Sequence, residues 1–291
     1  MGVKGRLKEY KKIIKGFALK KESVDNPILY GSLLKERAVF ITGGTSGIGL
    51  SIAEACVRNG ASVVITGRNV ERINSAIETI RQGVECTKIE GIELDNAVAD
   101  VNQLDKALAK AEELLGTPID ALVNNAGVIA GGSIPNTSMD GFSQTLDTNL
   151  KGAYFLSQCF AKKLVAAKIP GNILNVCSSS SLRPAISPYT ISKWGLRGMT
   201  LGFAKALIPY GIVVNGIAPG PTATPMLKQS GDNNLINDVV PAGRYATPEE
   251  IANMAVVLMS DLSRMIVGDV VYMTGGCGNL TFEDMNYSLK F

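Results

Sequence analysis

No histidine occurs anywhere in the 291 residues. That absence excludes Ser-His-Asp and Cys-His hydrolases and any His-ligated metal. Tyr, Lys, Cys, carboxylates or water must move protons near neutral pH. Cysteine is sparse: Cys56, Cys86, Cys159, Cys177 and Cys277 are scattered, odd in number and form no C-x-x-C pair. The pattern suits free thiols in a reducing cytoplasm, not a disulfide framework or a zinc site, so no metal is expected. No apolar run approaches the about 18 residues of a membrane span. The basic N-terminal stretch has no apolar block followed by a small-residue cleavage site, so no secretory signal is expected. Charge is low as well, 19% against 46% hydrophobic residues, which indicates a core-rich folded chain.

The little charge there is lies unevenly. Residues 1–21 carry eight Lys or Arg and one Glu, a balance of +7, so the net +3 leaves −4 for the remainder. A nucleic-acid partner is therefore not expected for the body of the chain. Leu7, Tyr10, Ile13, Ile14 and Phe17 recur at helical spacing. Residues 1–36 are read as a basic extension with an amphipathic helix whose apolar stripe packs on the body or a partner subunit. Contact with a membrane surface is the alternative, and it is not favoured.

From residue 37 onward β-branched runs alternate with helical stretches, the mark of βαβ units and a parallel sheet. Strands are expected at 38–42, 63–66, just before Asp100-Val101, and at 119–123, 172–177, 212–217 and 269–273. Helices are expected from the glycine-rich turn to about Asn59, then at 70–82, 102–115, 138–168, 189–210 and 248–260. The fold class is therefore α/β, a single Rossmann-type doubly wound parallel sheet of about seven strands flanked by helices. One catalytic domain spans 37–277, with a tail at 278–291.

Thr42-Gly-Gly-Thr-Ser-Gly-Ile-Gly49 falls between the first strand and first helix. There Gly43 permits the tight turn, Gly47 close approach of a pyrophosphate, and Gly49 helix–sheet packing. Thr45, Ser46 and Ile48 complete the loop, whose free amides and helix dipole favour negative charge. Such loops also serve as plain turns, and the strand-then-helix context is what favours a dinucleotide. The second strand ends Thr66-Gly67-Arg68-Asn69 with no acid to hold ribose hydroxyls. Arg68 suits a 2′-phosphate, so NADP(H) is favoured and NAD(H) is the alternative, Arg68 being then only a solvated loop residue.

Tyr189 and Lys193 lie four apart at a helix start, on one face. An ammonium beside a phenol favours the phenolate, giving a hydroxyl able to exchange a proton with a substrate oxygen. With eight tyrosines in the chain, one Tyr-x-x-x-Lys arises readily by chance, so the pair alone carries little. The run Ser178-Ser-Ser-Ser181 ends a strand 11 residues before Tyr189, on the side of the sheet where ligands bind.

With these motifs in order, residues 38–278 resemble the short-chain dehydrogenase/reductase family, in particular its 3-oxoacyl-reductase-like branch. The further matching motifs are Asp100-Val101, Asn124-Asn-Ala-Gly127, Asn149, and Pro219-Gly-Pro-Thr-Ala-Thr224. The resemblance implies that Asp100 and Val101 hold the adenine, and that Asn124, Asn125, Ala126 and Gly127 steady the sheet beside the cofactor. It implies that Asn149 holds a water linking Lys193 to solvent, and that Lys193 also binds the nicotinamide ribose. Pro219, Gly220, Thr222 and Thr224 would wrap the cofactor, with Thr224 at the carboxamide, and residues 222–247 would form a lid. The family's Ser–Tyr gap is commonly about 13; here it is shorter, and strand alignment makes Ser178 the counterpart with Ser179 in reserve. Cys177 reads as packing, since nothing nearby would generate its thiolate.

The expected activity is interconversion of a carbonyl and a secondary alcohol with Tyr189 as proton donor or acceptor. A 3-oxoacyl thioester is the first substrate class, and a sugar or a steroid remains open. A reading of another class is a dinucleotide-binding redox sensor or scaffold without turnover. The resemblance also implies a homo-oligomer, dimer or tetramer, to which Phe142, Leu146, Leu150, Tyr154 and Leu156 of the long helix would contribute, unless they fill the monomer's own core.

Overall fold

The computed structural model describes residues 32–84, 88–227 and 235–280. The N-terminal amphipathic helix, Cys86, the middle of the lid and the end of the tail lie outside the described residues.

Seven strands form one parallel sheet: β1 (Ala38–Ile41), β2 (Ser62–Gly67), β3 (Ile89–Glu93), β4 (Ala121–Asn124), β5 (Gly171–Val176), β6 (Ile212–Pro219) and β7 (Val270–Met273). Their spatial order is β3-β2-β1-β4-β5-β6-β7, with every neighbouring pair parallel. Parallel neighbours need crossovers, and helices supply them on both faces. They are α1 (Gly47–Arg58), α2 (Val70–Gly83), α3 (Val101–Leu115), α4 (Met139–Leu146), α5 (Gly152–Ala167), α6 (Pro188–Leu207) and α7 (Pro248–Met259).

The period of two along each strand sorts side chains between two cores. Val39 and Ile41 of β1, with Val63 and Ile65 of β2, face α1, α2 and α7. Ala38, Phe40 and Val64 face α3 and α5 on the other side. Phe40 and Phe160 are fully buried there, and burying such a ring stabilises the fold by about 1.5–3 kcal/mol. Chain progression reverses between β1 and β4, so the strand ends diverge and open a crevice at their carboxyl edge.

Two expectations are corrected. The third strand is Ile89–Glu93, well before the expected position. It pairs on one side only, and just Ile89 of its five residues is buried; the sequence Ile-Glu-Gly-Ile-Glu therefore carries little of the hydrophobic signal of an interior strand. The expected helix 138–168 is helical throughout, but residues Asp147–Lys151 form a π-helical turn between α4 and α5.

Candidate active site

The crevice is a cleft of about 840 Å³ that runs across the carboxyl ends of the strands. Its floor is the glycine loop. Gly43 has φ +65, and a Cβ there would stand 2.9 Å from the Ala126 Cα, so a side chain has neither a conformation nor a place. Gly47 has φ +54 beside the Thr224 methyl. Ser46 caps α1 with no side-chain hydrogen bond, and the first turn of α1 holds no acid. The other helices that begin after a loop are capped by their own side chains: Asn69, Asp100, Ser138, Ser187 and Thr247 each accept a backbone amide. The amides at the start of α1 are thus left for an anion entering the cleft.

The loop is tied to β4 from below. The Thr42 hydroxyl accepts from the Asn125 and Ala126 amides, both at 3.0 Å, and Asn125 Nδ2 donates to the Thr42 and Gly43 carbonyls. One residue earlier, Asn124 Nδ2 donates to Ser157 Oγ and to Asn175 Oδ1, each at 2.8 Å, and Asn175 Nδ2 donates to Thr200 Oγ1. This buried chain joins β4 and β5 to α5 and α6 and fixes the cleft's two halves relative to one another. Ala126 and Gly127 line the cleft.

On the β2 side the wall carries Arg68, as expected, and also Arg72 from the first turn of α2. Position along the sequence does not mark Arg72, whose place in the wall depends on the helix start that Asn69 sets. Beyond them the wall is Leu94, Asp95 and Asn96, directly after β3. Asp100 and Val101, expected at the adenine, do not line the cleft. Asp100 is spent on a capping box: its Oδ1 accepts from the Gln103 amide at 2.8 Å and its own amide donates to Gln103 Oε1 at 2.9 Å. Val101 is the first residue of α3 and is exposed. The expectation for Asp100-Val101 follows from a later β3; after the observed strand, Ile89–Glu93, the pair at that place is Leu94-Asp95. Asn96 Oδ1 is buried without a partner among the described residues.

The opposite half is built by β5, α6 and the loop after β6. Ser187 accepts the Thr190 amide and Pro188 takes the first helical position, so α6 begins where Tyr189 falls in its first turn and Lys193 one turn on. Lys193 is only 5% exposed; its Nζ donates to the Val176 carbonyl at 2.7 Å and lies 5.7 Å from the centre of the Tyr189 ring. Ser178 follows β5 and caps a short 3₁₀ turn, its Oγ accepting from the Ser180 amide at 3.1 Å, which leaves its O–H free to donate. Ser178, Ser179, Tyr189 and Lys193 all line the cleft, together with Pro219, Gly220, Thr222 and Thr224.

Asn149 is buried behind the wall, not in it. Its Oδ1 accepts from the Val128 amide, and Nδ2 donates to the Val128 carbonyl and to Ser192 Oγ. Ser192 Oγ in turn donates to the Tyr189 carbonyl at 2.7 Å. Its side chain is held by three protein bonds that link the Gly127 loop to α6. Cys177 lines the cleft too, but burial pushes its thiol up to about 11, outweighing the lowering influence of the Lys193 charge. It stays a protonated packing residue at neutral pH.

Known proteins resemble this chain over nearly all of its described length. A family model described as enoyl-(acyl carrier protein) reductase matches residues 42–278. Gluconate 5-dehydrogenase from Gluconobacter oxydans is 35% identical over 262 residues, 87% of this chain and 98% of that protein. The 3-oxoacyl-[acyl-carrier-protein] reductase of Aquifex aeolicus is 32% identical, covering 84% and 98%. Among solved structures, a gluconate 5-dehydrogenase from Burkholderia cenocepacia in complex with NADP and tartrate superposes with TM-score 0.75 at 31% identity, over 84% of this chain and 96% of that one. A protein described as of the short-chain dehydrogenase/reductase family does so with TM-score 0.72 at 34% identity, covering 84% and 98%.

Proposed function

The chain belongs to the short-chain dehydrogenase/reductase family, and from that premise we propose which residues perform its NAD(P)-dependent interconversion of a carbonyl and a secondary alcohol. The cleft fits a dinucleotide: the uncapped start of α1 and the side-chain-free approach at Gly43 and Gly47 suit a pyrophosphate. Arg68 and Arg72 together suit the 2′-phosphate of NADP(H), the favoured cofactor, with NAD(H) the lesser alternative. Asp95 and Asn96 take the adenine end in place of Asp100 and Val101. When bound, the nicotinamide supplies or accepts the hydride. Pro219, Gly220, Thr222 and Thr224 hold that end of the cofactor.

The chain's own chemistry is proton transfer. Tyr189 gives its phenolic proton to the nascent alkoxide, or takes it in the reverse direction. The Lys193 ammonium stabilises the phenolate and is held ready by the Val176 carbonyl. Ser178 donates its free O–H to the substrate oxygen and sets the carbonyl before Tyr189. Asn149 is a positioning residue, acting through Ser192 on the backbone of Tyr189. The single observation that carries the reading is that Ser178, Tyr189 and Lys193 share one cleft with the glycine loop. A redox sensor or scaffold would have no use for that conjunction.

For the substrate, a 3-oxoacyl thioester is the first to assay, because Val128, Ile129 and Met226 make part of the cleft apolar. A polyhydroxy acid is the second reading, favoured by Arg183 on the same wall. The four described cysteines are free and buried, which supports a cytoplasmic enzyme. A homo-oligomer, dimer or tetramer, is the expected assembly. The decisive experiment is a screen of carbonyl compounds by NADPH oxidation, run beside Tyr189→Phe. The variant keeps the ring and loses one hydroxyl, so NADPH still binds while kcat falls by about 10²–10⁴-fold. Undiminished turnover refutes the mechanism.

A further inference from the structure

One charged side chain on the catalytic side of the cleft is unused by the chemistry above. Arg183 lines the cleft with Ser178, Ser179, Tyr189 and Lys193. Its backbone is fixed: the amide donates to the Ser180 carbonyl at 3.3 Å, and its own carbonyl accepts from Trp194 Nε1 at 2.8 Å. Trp194 immediately follows Lys193, so the root of Arg183 is pinned to the same two turns of α6 that present the proton-transfer pair. Arg183 is exposed as a residue, and the hydrogen-bond partner of its guanidinium among the described residues is Cys277 Sγ at 2.9 Å, a weak acceptor for a full charge. The ion pairs among the described residues engage Arg37, Arg58, Arg81, Arg244 and Arg264, not Arg183.

Among the described residues the rest of the wall offers Arg183 no carboxylate. Asp95 is the one acidic side chain of the described residues that lines the cleft, and it follows β3, four strands away from β5 in the sheet. The catalytic half therefore presents, among the described residues, two cations, Lys193 and Arg183, and no anion. Lys193 is buried and held to a carbonyl, while Arg183 stands open to what enters. A planar guanidinium, rooted by two backbone bonds and lacking a carboxylate partner, is suited to a bidentate carboxylate.

We propose that Arg183 is the substrate-specificity residue of this enzyme, binding a carboxylate on the substrate while Tyr189 acts at its carbonyl or hydroxyl. The proposal rests on the carbonyl/alcohol reading and takes its second substrate class over the thioester, narrowing it to small oxo or hydroxy acids. The short Ser–Tyr connection is consistent with it: eleven residues from Ser178 to Tyr189 keep Arg183 close against α6. The competing account is purely structural, with Arg183 stapling the segment after β7 through Cys277.

The test uses the full chain loaded with NADP+ and titrates gluconate, L-tartrate and 3-hydroxybutyrate by calorimetry. Each is paired with the alcohol in which carboxylate is replaced by CH2OH: sorbitol, threitol and 1,3-butanediol. At least one acid binds more tightly than its alcohol, and Arg183→Gln weakens that acid by about 10- to 100-fold while leaving the alcohols unchanged. Arg183→Lys restores part of the difference, and Cys277→Ala, which removes the staple, retains it. The proposal is overturned if the unaltered protein prefers none of the acids, a comparison that needs no variant to fold. It is equally overturned if Arg183→Gln keeps the preference, or if Cys277→Ala loses it. Binding needs no turnover, so the two readings fail separately: acids held through Arg183 but never oxidised count against the redox reading alone. Turnover without preference for an acid counts against Arg183 alone.

Discussion

Arg68 and Arg72 stand on either side of the Asn69 cap of α2, both exposed and both lining the cleft. Glu71, the acid between them, does not line the cleft and forms no ion pair with either among the described residues, and the Asn69 side chain is engaged in capping α2. A 2′-phosphate placed there gains charge-assisted hydrogen bonds that a 2′-hydroxyl does not. Arg68→Ala is therefore expected to raise KM for NADPH by about 10- to 100-fold and to leave KM for NADH nearly unchanged. Steady-state kinetics with both cofactors check it, and an equal loss for the two would remove Arg68 from the phosphate site. Arg68 was legible because it sits at a place defined by the strand before it. Arg72 and Arg183 were not, because their approach to the cleft depends on the capping of α2 and on a tryptophan bond across eleven residues.

Interior strands and edge elements differ in how openly the sequence writes them. β1, β2 and β4 to β6 are covered on both faces, so each reads around a core of consecutive apolar residues, and they fall within two residues of where patterning places them. β3 is an edge strand with one buried residue, and its weak pattern let the helix-capping pair Asp100-Val101 pass for the end of a strand. The π turn at Asp147–Lys151 adds no hydrophobic or polar signal, since it alters the winding of a helix already expected. The corrected placement of Asp100 has a measurable consequence. Asp100→Ala breaks the capping box of α3 and costs about 1 kcal/mol of stability. NADPH affinity is unaffected, because the carboxylate lies on the helix start and not in the cleft. Urea unfolding and a fluorescence titration with NADPH separate the two effects, and a fall in affinity without a fall in stability would return Asp100 to the adenine site.

The exterior of the sheet is not uniformly polar. Among the described residues, α6 exposes Ile191, Trp194 and Leu201 to solvent, and α5 exposes Tyr154 and Phe155 beside them. Tyr154 packs edge-on against Phe203, so the two helices present one continuous apolar surface. The long-helix residues expected at an interface divide here: Leu156 is buried in the monomer core, while Tyr154 faces outward. On α6, Gly198 and Gly202 have no neighbour within 4 Å of where a Cβ would stand. Two glycines one turn apart let the backbone of another helix approach closely, and Leu201 between them is 52% exposed. A surface of this kind is costly in a monomer, and the expected cover is a self-complementary pair in which α6 meets its own copy about a twofold axis. Leu201→Glu places two like charges near that axis and desolvates both on association. Light scattering is expected to give an oligomer for the unaltered chain and a smaller species for Leu201→Glu, with NADPH affinity retained because the cleft opens on the carboxyl edge of the sheet. An unaltered chain that scatters as a monomer, or a variant that keeps its size, would assign these apolar residues to something other than self-association.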